Sequence, residues 1–248
     1  MHSIRRVPPG DAVALHCEMM HGLQQHFPWS FFMSIILHGY WRSSATYRVR
    51  IGLNLKALDY AHATHDLRTG EHRGPAYRAV APIGLVPAVE VDGQYLTQSL
   101  PILEWLEERY PDPPLLPPDA SGRAVVRAMA SIIACDIHPL NNLRVLGALK
   151  TELHATKDMV LAWIFRWITE GFAALEAMAV EHGGRFCFGD VPTIADCCLI
   201  PQIYNASRFA VDLDAFPTLL AIDQACKAHD AFVRARPEVQ PDADGAPA

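Results

Sequence analysis

Arg42, Ser43 and Ser44 stand between a short apolar run, Ile35-Ile36-Leu37, and the opening of an amphipathic helix. A helix start presents unpaired N–H groups and the positive end of its dipole. Hydroxyls and a guanidinium at that point can therefore hold an anion or favour a thiolate. Alone the signal is weak, because serine is also an ordinary N-cap. The six cysteines (Cys17, Cys135, Cys187, Cys197, Cys198 and Cys226) include no Cys-x-x-Cys pair, which disfavours thiol–disulfide oxidoreductase chemistry. They read as buried or half-buried small hydrophobes, and their scatter fits a reducing cytoplasm. The histidines are not spaced with them as zinc ligands, so no metal is expected.

The chain of 248 residues is half hydrophobic, enough for one large domain or two modest ones. Its net charge of −6, without a lysine/arginine block, argues against nucleic acid or an acidic membrane as the main partner. No apolar stretch approaches the roughly 20 residues of a membrane span. Residues 1–32 carry Pro8-Pro9-Gly10 and Pro28 without sustained periodicity, and read as a leader outside the fold with Met33 as the natural start. A genuine but disordered leader is the alternative.

The elements that must hold the serine turn follow from pattern. Strands are expected over 34–38 and 59–65, with a helix over 44–57 between them and a short helix over 74–80 after them. Residues 86–91 and 94–97 form a hairpin through Asp92-Gly93, a favoured two-residue turn. Gln98-Ser99 then precede a helix with Pro101 early and an apolar face of Ile102, Leu103, Trp105 and Leu106. This βαβ-α-ββα order is thioredoxin-like. A proline-dense linker at 110–118 ends it, since neither helix nor central strand runs through such a segment. Helical pattern follows over 121–149, 154–182 and 193–209, with a further helix from Pro217 and a tail that frays from Pro241. Asp196, three residues after Thr193, reads as the far partner of a capping box, a structural role. Arg48 and Arg50 read as polar positions of the first helix.

A thioredoxin-like half followed by an all-helical half is the plan of the cytosolic glutathione transferases, and six segments sharpen the resemblance. They are Arg42-Ser43-Ser44-Ala45-x-x-Arg48-Val49-Arg50-Ile51, Leu85-Val86-Pro87-Ala88, Gln98-Ser99, the run from Ala134 through His138 and Asn142 to Leu143, Phe188-Gly189-Asp190, and Ala206-Ser207-Arg208-Phe209-x-Val211-Asp212-Leu213. In this order, from about residue 34 to about 242, they resemble the zeta class, which contains the maleylacetoacetate and maleylpyruvate isomerases. One departure is Ala45, where the class often carries cysteine, so no protein thiol is expected at that turn. The resemblance implies a glutathione-binding domain over 33–112 and a helical substrate domain over 119–242.

It also implies roles. Ser43, with Ser44 and Arg42, would serve catalysis by holding the glutathione thiolate. Val86, before a cis Pro87, would pair with the tripeptide backbone, and Gln98 and Ser99 would take its γ-glutamyl carboxylate. His138 and Asn142 would reach the coenzyme from the helical half. Arg42 and Arg208 would anchor a dicarboxylic keto acid by bidentate contacts. The implied activity is glutathione-dependent cis–trans isomerisation in aromatic amino acid breakdown, by a cytoplasmic homodimer with glutathione as coenzyme. Leu143 is apolar where the maleylpyruvate group resembles an arginine-bearing pattern, which favours maleylacetoacetate. Rival readings are maleylpyruvate isomerisation, conjugation or dehalogenation of small electrophiles, and a non-catalytic interaction module.

Overall fold

The structure is a computed structural model describing residues 34–244; the segment 1–32 expected to be a leader, Met33 and Cys17 lie outside the described residues. Strand β1 (Ile36–Gly39) is followed by helix α1 (Ser44–Leu55), β2 (Ala61–Thr64), a 3-10 turn at Glu71–Arg73 and α2 (Pro75–Val80). Then come β3 (Ala88–Val91), β4 (Gln94–Thr97) and α3 (Ser99–Arg109). The sheet order is β2-β1-β3-β4, with β1 and β2 parallel and the other pairs antiparallel. Asp92 and Gly93 have φ of 50° and 72°, the two positive values a tight hairpin turn needs, and they set Val91 opposite Gln94. The β3 strand starts two residues later than expected because Pro87 has no N–H to give to the ladder; the Val86–Pro87 bond is cis.

Helix α1 is not amphipathic, contrary to expectation. Thr46 through Asn54 are all buried, because α1 packs on α3 from one side and on two helices of the C-terminal half from the other. Gly52 lets α3 approach so closely that a Cβ there would run into Leu103. Arg50, 1% exposed, donates from Nε to Ala235 O (3.0 Å) and from Nη2 to Trp41 O (2.9 Å). Asn54 Nδ2 donates to Ala231 O at 2.9 Å. These polar groups of α1 are internal cross-links between the two halves.

The linker is pinned from both sides. Lys56 Nζ reaches Glu107 Oε2 at 2.9 Å and Pro113 O at 2.6 Å, and Glu107 Oε2 also accepts the Leu115 N–H at 2.7 Å. Beyond it run α4 (Ala120–Ser131), a π-helical stretch Ile132–Ile137, a 3-10 turn Pro139–Asn141 and α5 (Leu143–Thr151). The helix expected over 121–149 is therefore broken. Pro139 cannot donate within a helix, and Asn142 takes extended dihedrals to cap α5, its side chain accepting from Arg144 N. Helices α6 (Lys157–His182), α7 (Ile194–Arg208), α8 (Pro217–Lys227) and α9 (Asp230–Ala235) complete the half. Asp196 accepts from Thr193 N (2.7 Å), Thr193 Oγ1 (2.9 Å) and Cys187 N (2.8 Å), the capping box expected of it. The tail does not fray at Pro241: Asp242 Oδ2 accepts the Trp41 N–H at 2.9 Å, and Ala243 packs against Tyr40 and Trp41. No described helix is long and apolar enough to cross a membrane.

Candidate active site

The serine turn is built by its own hydrogen bonds. Ser43 N donates to Tyr40 O at 3.0 Å, and Ser43, in extended conformation, caps α1 by accepting the Thr46 N–H on Oγ at 3.2 Å. Ser43 is thus the cap, and Ser44 is the first helical residue. No acidic side chain occupies the first turn of α1 to neutralise its N-terminus.

Two adjoining cavities open beside this turn. The larger, about 840 Å³, is lined by Arg42, Ser43, Ser44 and Arg208; the smaller, about 290 Å³, by Pro87, Gln98 and Ser99. Val86, His138 and Asn142 line both. Every site residue expected from sequence therefore faces one continuous cleft.

Its electrostatics are cationic. Six arginines line the larger cavity and Glu152 is its one carboxylate. Arg42 lies over the Trp41 ring and Arg208 over Phe209, and burial together with the charge of Arg42 lowers the Arg208 pKa. In the smaller cavity Arg48, 2% exposed, donates from Nη1 to Ser99 Oγ at 3.2 Å, while its Nε and Nη2 find no partner among the described residues. A buried guanidinium with two idle donors is costly unless an acceptor arrives, and a carboxylate fits that need. Burial, aided by the charge of Arg48, pushes the His138 imidazole down to about 3. His138 is consequently neutral near pH 7, one ring nitrogen donating and the other accepting. The described residues hold no cluster of metal-ligating side chains.

Sequence reasoning missed four residues. Arg48 and Arg144 line the cleft, the first on the smaller cavity and the second on both. Asn141 lines the larger with both side-chain amide atoms buried and unpartnered, and Cys135, read as buried or half-buried, is exposed on the smaller. For Arg48 a signal existed, since it stands four residues after Ser44 and so on the same helix face. Arg144 lay behind the break at Pro139, which periodicity did not reveal.

A cis-proline strand edge, an anion-ready helix start and a helical half closing over both define a protein of the glutathione transferase type. The family model for the glutathione S-transferase N-terminal domain matches residues 42–109. Maleylpyruvate isomerase from Ralstonia sp is 49% identical over 208 residues, 83% of this chain and 98% of that protein. Among solved structures, the holo form of a bacterial zeta-class maleylpyruvate isomerase superposes with a TM-score of 0.82 at 47% identity, covering 84% of this chain and 100% of that one. The maleylacetoacetate isomerase of Anaeromyxobacter dehalogenans 2CP-1 with bound glutathione gives 0.78 at 46% identity, over 86% and 99%. The chain belongs to the zeta class of the glutathione transferases, the family of the maleylacetoacetate and maleylpyruvate isomerases.

Proposed function

We propose that the chain is a glutathione-dependent cis–trans isomerase of a maleyl-type keto dicarboxylate, with maleylacetoacetate preferred. The observation that supports this most is the cleft itself, with a carboxylate-seeking Arg48–Ser99 pair at one end and the Arg42–Arg208 pair at the other. Kinship with maleylacetoacetate and maleylpyruvate isomerases points the same way. When bound, glutathione supplies a thiol whose reversible addition to a conjugated cis double bond permits rotation.

The chain's own residues do the rest. Ser43 keeps its O–H for the thiolate because its oxygen already accepts the Thr46 N–H, and the open N–H groups of α1 add to the field. Val86 offers backbone groups for strand-like pairing with the tripeptide. Gln98, Ser99 and Arg48 take the γ-glutamyl carboxylate, and Asn142 and neutral His138 close the coenzyme from the helical side. Arg42 and Arg208 hold the substrate carboxylates and stabilise negative charge that develops on the adjacent ketone. Arg144 favours a second reading, maleylpyruvate isomerisation, because it sets a further cation at the junction of the cavities. Domains over 33–112 and 119–242, a homodimer and a cytoplasmic location belong to the same proposal, supported by kinship with the class.

The test follows loss of the cis substrate with glutathione in catalytic amount while free thiol is measured. Turnover without thiol consumption is expected. Stoichiometric consumption would mean conjugation or dehalogenation instead.

A further inference from the structure

Cys135 lies in the π-helical stretch Ile132–Ile137 and is exposed, whereas Cys187, Cys197, Cys198 and Cys226 are buried. It lines the smaller cavity together with Ala45, Arg48, Gln98 and Ser99. We propose that Cys135 is a glutathionylation site: its thiol exchanges with glutathione disulfide drawn into this cavity, and the mixed disulfide closes the coenzyme position. The proposal rests on the glutathione reading of the cleft.

Exposure alone marks no site. The second observation is Arg48, almost wholly buried on the same cavity with Nε and Nη2 unpartnered, one hydrogen bond from Ser99. That arrangement recruits a carboxylate, and glutathione disulfide carries carboxylates close to a reactive S–S bond. A neutral disulfide offers Arg48 nothing. The exchange is balanced without another oxidant. Cys135 loses its proton to solvent and its sulfur attacks one sulfur of the disulfide. A new S–S bond forms, the old one breaks, and the departing glutathione leaves with the electron pair and takes up a proton.

The adduct has no ready exit within the protein. Ala45, on the same cavity, carries no thiol. Cys198, which lies near enough to feel the charge of Cys135, is fully buried with its thiol pushed up to about 11, mainly by that burial. Release therefore falls to free glutathione or another small thiol, so the modification reads out the ratio of oxidised to reduced glutathione. The tripeptide held on Cys135 fills the space that the coenzyme needs.

The experiment treats the full chain with glutathione disulfide or with bis(2-hydroxyethyl) disulfide at equal concentration and follows mass by peptide. One glutathionyl group per chain is expected, on Cys135, forming faster than the neutral adduct, slowed by S-methylglutathione and missing in Cys135→Ser. Treated protein should lose most of its turnover and regain it with dithiothreitol. Modification at another cysteine, equal rates with the two disulfides, or an adduct that leaves turnover intact would each overturn the proposal. Calorimetric titration of Cys135→Ser with S-methylglutathione separates the two levels. Binding there alongside an unselective reaction in the unmodified chain sinks only the glutathionylation, whereas no binding sinks the coenzyme reading with it.

Discussion

Ser43 Oγ accepts the Thr46 N–H at 3.2 Å, which leaves its own O–H available to donate to a thiolate. Losing a hydroxyl donor to a thiolate costs about 1.5–3 kcal/mol, or about one to two orders of magnitude in rate. Ser43→Ala should lower isomerase kcat by that much while S-methylglutathione affinity changes little, and kcat with calorimetric Kd tests it. Gln98 stands at φ 70° before α3, a region that costs a non-glycine residue about 1–3 kcal/mol. Gln98→Gly relieves that strain, less the added entropy of an unfolded glycine. It should raise or keep the melting temperature and weaken glutathione binding, whereas loss of stability with unchanged affinity would make Gln98 purely structural. His138 acts through pH. Its folded pKa lies below its ordinary 6.5, so only the unfolded chain takes up its proton at first, and stability falls as pH drops from about 6.5 toward about 3. Above that window it has no effect. His38, His62 and His72, also lowered by burial, add slopes of the same sign. His138→Gln should therefore flatten the acid-side decline of melting temperature without abolishing it. At this scale the serine turn and Gln98-Ser99 were legible because helix starts have a local signature. For Arg48 only its spacing from Ser44 was legible; its burial was not, because a cation inside a helix looks solvated until its neighbours are known.

Helix α1 shows where pattern ends and packing begins. Its position was readable from Ile35-Ile36-Leu37 before it and the serines at its start, yet its burial on every side was not, since Arg48, Arg50 and Asn54 break any apolar face. Those polar groups reach partners 51, 185 and 177 residues away, a range no local window covers. The break at 138–142 escaped for the opposite reason: apolar spacing runs through it, and Pro139 with the Asn142 cap interrupts only the backbone. The Lys56–Glu107 pair ties the end of α1 to the end of α3 with both side chains nearly inaccessible. Removing one partner of such a pair leaves an uncompensated charge and costs roughly 3–5 kcal/mol. Lys56→Met should fall toward the lower end, because Glu107 keeps the Leu115 N–H and an Arg123 contact at 3.7 Å. Adding Glu107→Leu should restore only part of the loss, as it strands the Leu115 N–H. Urea unfolding of the single and double variants measures both, and full recovery in the double variant would refute the role given to Leu115.

Across the whole molecule, the two halves meet in a cleft lined by cations, and under the proposed function the choice of substrate depends on where those cations sit. Maleylacetoacetate carries its second carboxylate on a longer keto chain than maleylpyruvate. Arg42 and Arg208 share the wall of the larger cavity, each over an aromatic ring, where the proposed function seats substrate carboxylate. Leu143, 60% exposed on the same cavity, offers an apolar surface to a longer chain, whereas Arg144 beside it adds a cation at the junction with the coenzyme end. Both residues emerge from the α5 start that Asn142 caps, so their side chains leave one rigid point in different directions. If Leu143 governs, kcat/KM is higher for maleylacetoacetate, Leu143→Arg shifts preference toward maleylpyruvate, and Arg144→Leu affects the two substrates alike. If Arg144 governs, maleylpyruvate is preferred and Arg144→Leu reverses the order. A single hydrogen-bonded guanidinium contact is worth about 1.5–3 kcal/mol, so either shift should exceed about tenfold in the ratio of kcat/KM. Side-by-side assays of both substrates with catalytic glutathione decide between them. The expected result is the first, with Arg208→Ala impairing both substrates strongly, because an apolar side chain at the rim costs the longer substrate nothing while the shorter one leaves Leu143 facing water.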